Sequence, residues 1–204
     1  MTHPDAYRTI EKEAQGESRD RGSKFIAYLR PCKNDDEIKQ HADELRKAHP
    51  GSKHVCIGAI IGHESSDERS YDDGEPAGTA GLPILNQLRS AELTFAGIFV
   101  VRYFGGTKLG KPGLIQAYKE SAREAIEAGK VVTRYRLSTL KFVFPYDDTG
   151  AIMQAIERIP HAKITDQEFA QHQTVYASVP VSEVNNALHL FDHNDAISVE
   201  AMGD

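Results

Sequence analysis

A chain of 204 residues, 40% hydrophobic and 26% charged, is ordinary for a soluble globular protein and long enough for one large domain or two small ones. No apolar run approaches the ~20 residues of a membrane helix, and the polar start MTHPDAYRTIEKEAQGE lacks the apolar stretch of a signal peptide, so a cytoplasmic protein with no membrane partner is expected. The net charge of −6 argues against wholesale coating of nucleic acid while allowing a local basic surface.

Taken in order, residues 9–14 and the clearer run 24–30 (KFIAYLR) predict two strands, with QGESRDRGS between them as a polar hairpin loop. Asn34 is placed to cap a helix. Asp35, Asp36 and Glu37 suit its positive end, and Ile38, Ala42 and Leu45 recur at helical spacing until Pro50-Gly51. His54–Ile61 (HVCIGAII) is a near-continuous apolar run and predicts a strand buried on both faces.

Residues 62–70 predict a polar, acidic loop that leads into the turn DDGEP. Thr79 is the expected N-cap of a helix to about Ala91, with Pro83 in its first turn. Residues 95–103 predict a second buried strand. Gly105, Gly106, Gly110 and Gly113 shape a second turn, after which Pro112 opens a helix running to Gly129. A boundary is expected within 131–136, dividing the chain into domains 1–133 and 134–204. Beyond it the predicted order is β-α-β-β-α-β, with Asp147 or Asp148 capping one helix and Ser182 the other. That order is the ferredoxin-like arrangement, and the fold class expected is α+β.

Chemistry concentrates in the two turns. GGTKLGK, residues 105–111, fits the first seven positions of the phosphate loop GxxxxGK[ST], following a strand and opening a helix. Pro112 stands where Ser or Thr must supply the metal-bound hydroxyl, so no nucleotide hydrolysis is expected. Anion binding survives that objection: free N–H groups at a helix start, beside Lys108 and Lys111, suit a phosphate. Arg102, Lys119 and Arg123 extend the cations, and Tyr103 and Phe104 are aromatic candidates for stacking on bases. Charge is uneven along the chain. Residues 102–141 hold nine Lys/Arg against three Asp/Glu, whereas residues 63–92 hold two against seven. In the acidic turn Asp72, Asp73 and Glu75 offer oxygen ligands for a hard cation such as Mg²⁺, with His54 as a neighbour. No cofactor is expected beyond weakly held Mg²⁺. The histidines show no HExxH or zinc spacing, no GxSxG elbow is present, and Cys32 and Cys56 read as buried thiols.

SYDDGEPAGTAGLPIL followed by FVVRYFGGTKLGKPGLIQAY closely resembles the signature of the IMPACT/YigZ family. The matching positions are Asp72, Asp73, Gly74, Glu75, Pro76, Gly78, Thr79, Gly81, Arg102, Tyr103, Gly105, Gly106, Gly110 and Gly113. The resemblance implies a first domain similar to the second domain of a small-subunit ribosomal protein. It implies a second domain similar to a ferredoxin-like domain of translation elongation factor G. It also implies a tie to translation and no reaction. The leading expectation is therefore a non-enzymatic regulator or accessory factor of translation that binds RNA or the ribosome. Its contacts would be Arg102, Tyr103, Gly105, Gly106, Lys108, Gly110, Lys111, Lys119 and Arg123. Two alternatives stand beside it: a metal-dependent hydrolase or phosphotransferase using the acidic turn, and a protein-interaction module in starvation signalling, the role of eukaryotic IMPACT members. The oligomeric state is left open.

Overall fold

The computed structural model describes residues 3–63, 67–170 and 172–202. The chain separates into two compact units, one of Tyr7–Arg134 and one that combines the residues up to Ala6 with those from Tyr135 onward. Among the described residues no helix is long and apolar enough to cross a membrane.

The unit Tyr7–Arg134 is built on a five-stranded antiparallel sheet with strand order β2-β3-β6-β4-β5. Its strands are β2 (Ala14–Asp20), β3 (Ser23–Pro31), β4 (His54–Ile61), β5 (Asp67–Tyr71) and β6 (Ala96–Tyr103). Helix α1 (Asp35–Ala48) covers one face, burying Ile38, Ala42 and Leu45 against Val55, Ile57, Phe99 and Val101. Helices α2 (Gly81–Ser90) and α3 (Gly110–Ala128) cover the other, where Leu85, Leu88, Tyr118 and Ala122 meet Phe25, Leu29, Cys56, Ile98 and Val100. Covering both faces explains why β4 and β6 are apolar at nearly every position. A separate two-stranded ribbon pairs β1 (Ala6–Ile10) with β7 (Val131–Tyr135).

Two stretches expected as loops are strands. QGESRDRGS is not a hairpin loop: most of it is β2, registered on β3 from Ala14↔Leu29 to Asp20↔Ser23. Only Arg21 and Gly22 turn the chain, both at positive φ (44° and 81°), as the two-residue hairpins that suit sheet twist require. The polar composition belongs to an edge strand, in which only Gly16 is fully buried. Similarly, residues 67–71 form β5 at the opposite edge, paired with β4 from Ile57↔Tyr71 to Ile61↔Asp67. Exposed polar residues are what a sheet edge tolerates. The remainder of the expected acidic loop, residues 64–66, lies outside the described residues.

The other unit places β8 (Leu137–Phe144), α4 (Thr149–Arg158), β9 (Lys163–Phe169), β10 (Gln173–Pro180), α5 (Val184–Leu188) and β11 (Ser198–Ala201) in that order. Its antiparallel sheet runs β11-β8-β10-β9. Alternate residues Leu140, Phe142 and Phe144 of β8, with Val175, Ala177 and Val179 of β10, pack on Ile152, Ile156 and Ala187 from the helices. The caps expected here differ. Neither Asp148 before α4 nor Glu183 before α5 makes a side-chain cap bond, since a single 3-10 turn leads into each helix. Ser182 instead donates its N–H to Asp5 (2.8 Å), and Asp5 also pairs with Arg136 (3.5 Å).

Candidate nucleic-acid interface

Three long helices start in the Tyr7–Arg134 unit, and their first turns are treated differently. At α1 the Asn34 side chain accepts from the Glu37 N–H (2.9 Å), with Asp35, Asp36 and Glu37 in the first turn, as the spacing predicts. At α2 the cap is not Thr79, whose hydroxyl donates to the Pro76 carbonyl (2.7 Å). Asp72 does the work from a distance. Its Oδ1 accepts from the Ala80 and Gly81 N–H groups (3.0 and 2.8 Å) and its Oδ2 from Gly78 (2.8 Å). Burial pushes the Asp72 carboxyl up, but the three N–H bonds outweigh it and hold it below the ordinary aspartate value. At α3 there is no side-chain cap and no acid in the first turn. Lys108 and Lys111 sit there instead, on the helix end whose dipole is already positive. The helix begins at Gly110, so Pro112 is its third residue rather than its first.

The chain reaches α3 through a turn with no room for side chains. A Cβ on Gly105 would lie 1.9 Å from the Gly22 carbonyl carbon, so the β6 exit crosses directly over the β2–β3 hairpin. Gly106 and Gly110 then take φ of 90° and 72°.

Beneath this turn lies a buried ion pair. Arg102 Nη1 donates to Glu75 Oε1 at 2.5 Å, with the side chains 8% and 4% exposed. Tyr118 donates its hydroxyl to the same oxygen (2.8 Å), and the Cys56 thiol lies 3.3 Å from the tyrosine oxygen. Burial first, then the neighbouring Cys56 and Glu75, push the Tyr118 hydroxyl well up, which keeps it a donor. Removing one partner of such a pair strands a buried charge at a cost of about 3–5 kcal/mol. The Arg102 guanidinium carbon lies over the Phe25 and Phe104 rings, 5.4 and 5.6 Å from their centroids. Its Nε is buried without a hydrogen-bond partner.

These groups line one cleft of about 430 Å³, bounded by Glu75, Pro76, Arg102, Phe104, Lys108, Leu109, Gly110, Lys111 and Leu114. Of the residues expected to bind an anion, it collects Arg102, Lys108, Gly110 and Lys111. Gly105 and Gly106 form the turn beside it. Among the described residues neither Lys108 nor Lys111 has an ion-pair partner.

Three expected contacts lie elsewhere. Tyr103 follows Arg102 on the strand and so faces the opposite side of the sheet, where its hydroxyl lies 2.8 Å from His49 Nδ1. Arg123 is held by Glu120, Glu124 and Glu127 at 2.6–2.8 Å, three carboxylates around one guanidinium. Lys119 lines a different groove, with Leu82, Pro83 and Ile115 between α2 and α3.

The acids expected as a cation set do not converge. Asp72 caps α2, and Glu75 is paired with Arg102. Asp73 binds Arg46 through Oδ1 (3.1 Å) and the Val55 N–H through Oδ2 (2.7 Å), while His54 Nδ1 meets the Asp73 carbonyl (2.6 Å). Among the described residues no three His, Cys, Asp or Glu side chains are grouped to hold a metal ion. Cys32 and Cys56 are free and buried, and burial pushes the Cys32 thiol up to about 12. Neither is a reactive thiolate at neutral pH.

Tyr118 was not among the residues expected at the site. Part of the signal for its role was present, since a buried tyrosine must place its hydroxyl on a partner, but nothing in the sequence singles out Glu75 as that partner.

The Impact N-terminal domain family matches residues 21–126, which span both turns. IMPACT family member YvyE of Bacillus subtilis (strain 168) is 36% identical over 147 residues, covering 72% of this chain and 68% of that one. IMPACT family member YigZ of Escherichia coli (strain K12) is 37% identical over 106 residues, 51% of this chain and 52% of that one. A crystal structure of a hypothetical protein, 24% identical, shares the fold with a TM-score of 0.70 over 99% of this chain and 100% of its own.

Proposed function

The chain belongs to the IMPACT family, and from that premise we propose that it binds RNA through the cleft at the start of α3. In this reading the protein is a non-enzymatic accessory or regulator of translation, acting on RNA or the ribosome. The observation that carries it is the α3 N-terminus: a helix end with no side-chain cap, opening on a cleft lined by Arg102 and by two lysines that have no ion-pair partner among the described residues. Lysines at a positive helix end repel it, and an anion bound there turns that cost into attraction. A phosphate backbone is the biological polyanion that such a site suits, and its contacts are tolerant of sequence.

The architecture supports the same reading. The order β-α-β-β-α-β, with strand order β11-β8-β10-β9, is what a ferredoxin-like domain resembling one of elongation factor G would have. The unit Tyr7–Arg134 is read as the ribosomal-protein-like domain. Likeness to translation proteins is an argument by analogy; the cleft supplies the argument from chemistry.

The test is binding of a mixed single-stranded RNA pool over a salt series. Lys108→Ala combined with Lys111→Ala should weaken binding and flatten the slope of log affinity against log salt by roughly one to two units. An unchanged slope and affinity would overturn the reading.

A further inference from the structure

We infer that the cleft takes one unpaired nucleobase, stacked on Phe104, while the phosphates on either side of it lie against Lys108 and Lys111; this rests on the RNA reading above and adds the part of the nucleotide that enters.

The lining decides it. Pro76, Phe104, Leu109 and Leu114 are four of the nine lining residues, and the surface the cleft exposes is mostly apolar. The apolar part of the wall returns little to an anion that has shed its water, so the phosphates belong against the two lysines and another part of the nucleotide against the apolar lining. That lining suits a flat group with apolar faces and a polar edge. The volume of about 430 Å³ lies in the range of small-ligand sites.

An exposed phenylalanine on a protein surface is commonplace. Phe104 is 54% exposed but is not placed at random. Its ring lines the cleft and is held near the buried Arg102, 5.6 Å from the guanidinium carbon, which leaves a fixed aromatic surface on which a base can stack. Glu75 also lines the cleft, and its carboxylate is an acceptor for the exocyclic amine of a base. A base already paired in a duplex presents neither its face nor its edge to such a slot, so the ligand is single-stranded.

The chain contains no tryptophan, so Phe104→Trp introduces a single indole at the stacking position. Single-stranded RNA should quench its emission, and a duplex of the same sequence should not. Phe104→Ala should weaken single-stranded binding roughly ten-fold, within the usual worth of one base–aromatic stack. The salt slope should not change, because the ring touches no phosphate. Phe104→Trp keeps near-wild-type affinity, which separates loss of stacking from loss of fold. Wild-type affinity in Phe104→Ala, or equal quenching by duplex and single strand, would overturn the inference. If Phe104→Ala binds as wild type while the double lysine variant loses its slope, the RNA reading stands and the base slot falls. If the wild-type chain binds no RNA, both fall.

Discussion

Helices α2 and α3 lie on the same face of the same sheet, and each starts from a glycine-rich turn that follows a strand. Their first amides meet opposite fates. The α2 end is closed by the protein's own carboxylate, Asp72, which takes three N–H groups. The α3 end has no such cap and carries Lys108 and Lys111. A fold optimised for stability alone would put an acid at both ends. The difference separates a turn whose amides the structure itself satisfies from one that leaves them without a side-chain cap, and the proposed RNA contact rests on the second.

Breaking the closed end should have the larger effect. Asp72→Ala removes three charge-assisted bonds and leaves the α2 amides without a cap, so the protein should lose about 2–3 kcal/mol of stability, measured by urea unfolding. RNA affinity extrapolated to the folded protein should change little, because Asp72 is not among the residues lining the cleft. A large loss of binding with little loss of stability would reverse the roles assigned to the two turns. The same contact predicts a pH dependence. The Asp72 carboxyl lies below its ordinary value in the folded protein, so its contribution is present above the unfolded value of about 4 and is lost as pH falls through the lower folded one. Wild-type stability should therefore decline more steeply below that value than that of Asp72→Ala.

Closing the open end should have the smaller effect on stability and the opposite sign. Lys111→Glu places an acid in the first turn of α3 and should stabilise the fold by about 0.5 kcal/mol. It should weaken RNA binding by at least the amount lost in Lys111→Ala, since it adds repulsion to the loss of a contact. Thermal unfolding and RNA titration of the same variant decide this together. A variant that is less stable and binds as well as wild type would show that the lysine belongs to the structure.

Much of this was legible from residues alone. The apolar runs of β4 and β6 announced strands covered on both faces, and the glycine-lysine turn announced the strand-to-helix turn that opens α3. The alternation of side chains along a strand also implied that Arg102 and Tyr103 face opposite sides, although proximity in sequence suggested a joint role. Glu120, Glu124 and Glu127 lie at helical spacing around Arg123, so its neutralisation was written in the chain as well. Other features were not legible. Nothing in DDGE distinguishes the acid that caps a helix from the one that pairs with a buried arginine, because that depends on where β4, β6 and α3 bring their partners. The strand β2 escaped notice because an edge strand packed closely under a helix is written in small and polar residues, without an apolar alternation to betray it.

The most direct measurement follows the backbone amides of both helix starts by NMR while a single-stranded RNA oligonucleotide is added. The account predicts that the amide resonances of Gly110 and Lys111 move in proportion to binding, while those of Gly78, Ala80 and Gly81, already occupied by Asp72, stay in place. Movement at the Asp72 turn with none at Gly110 and Lys111 would contradict it.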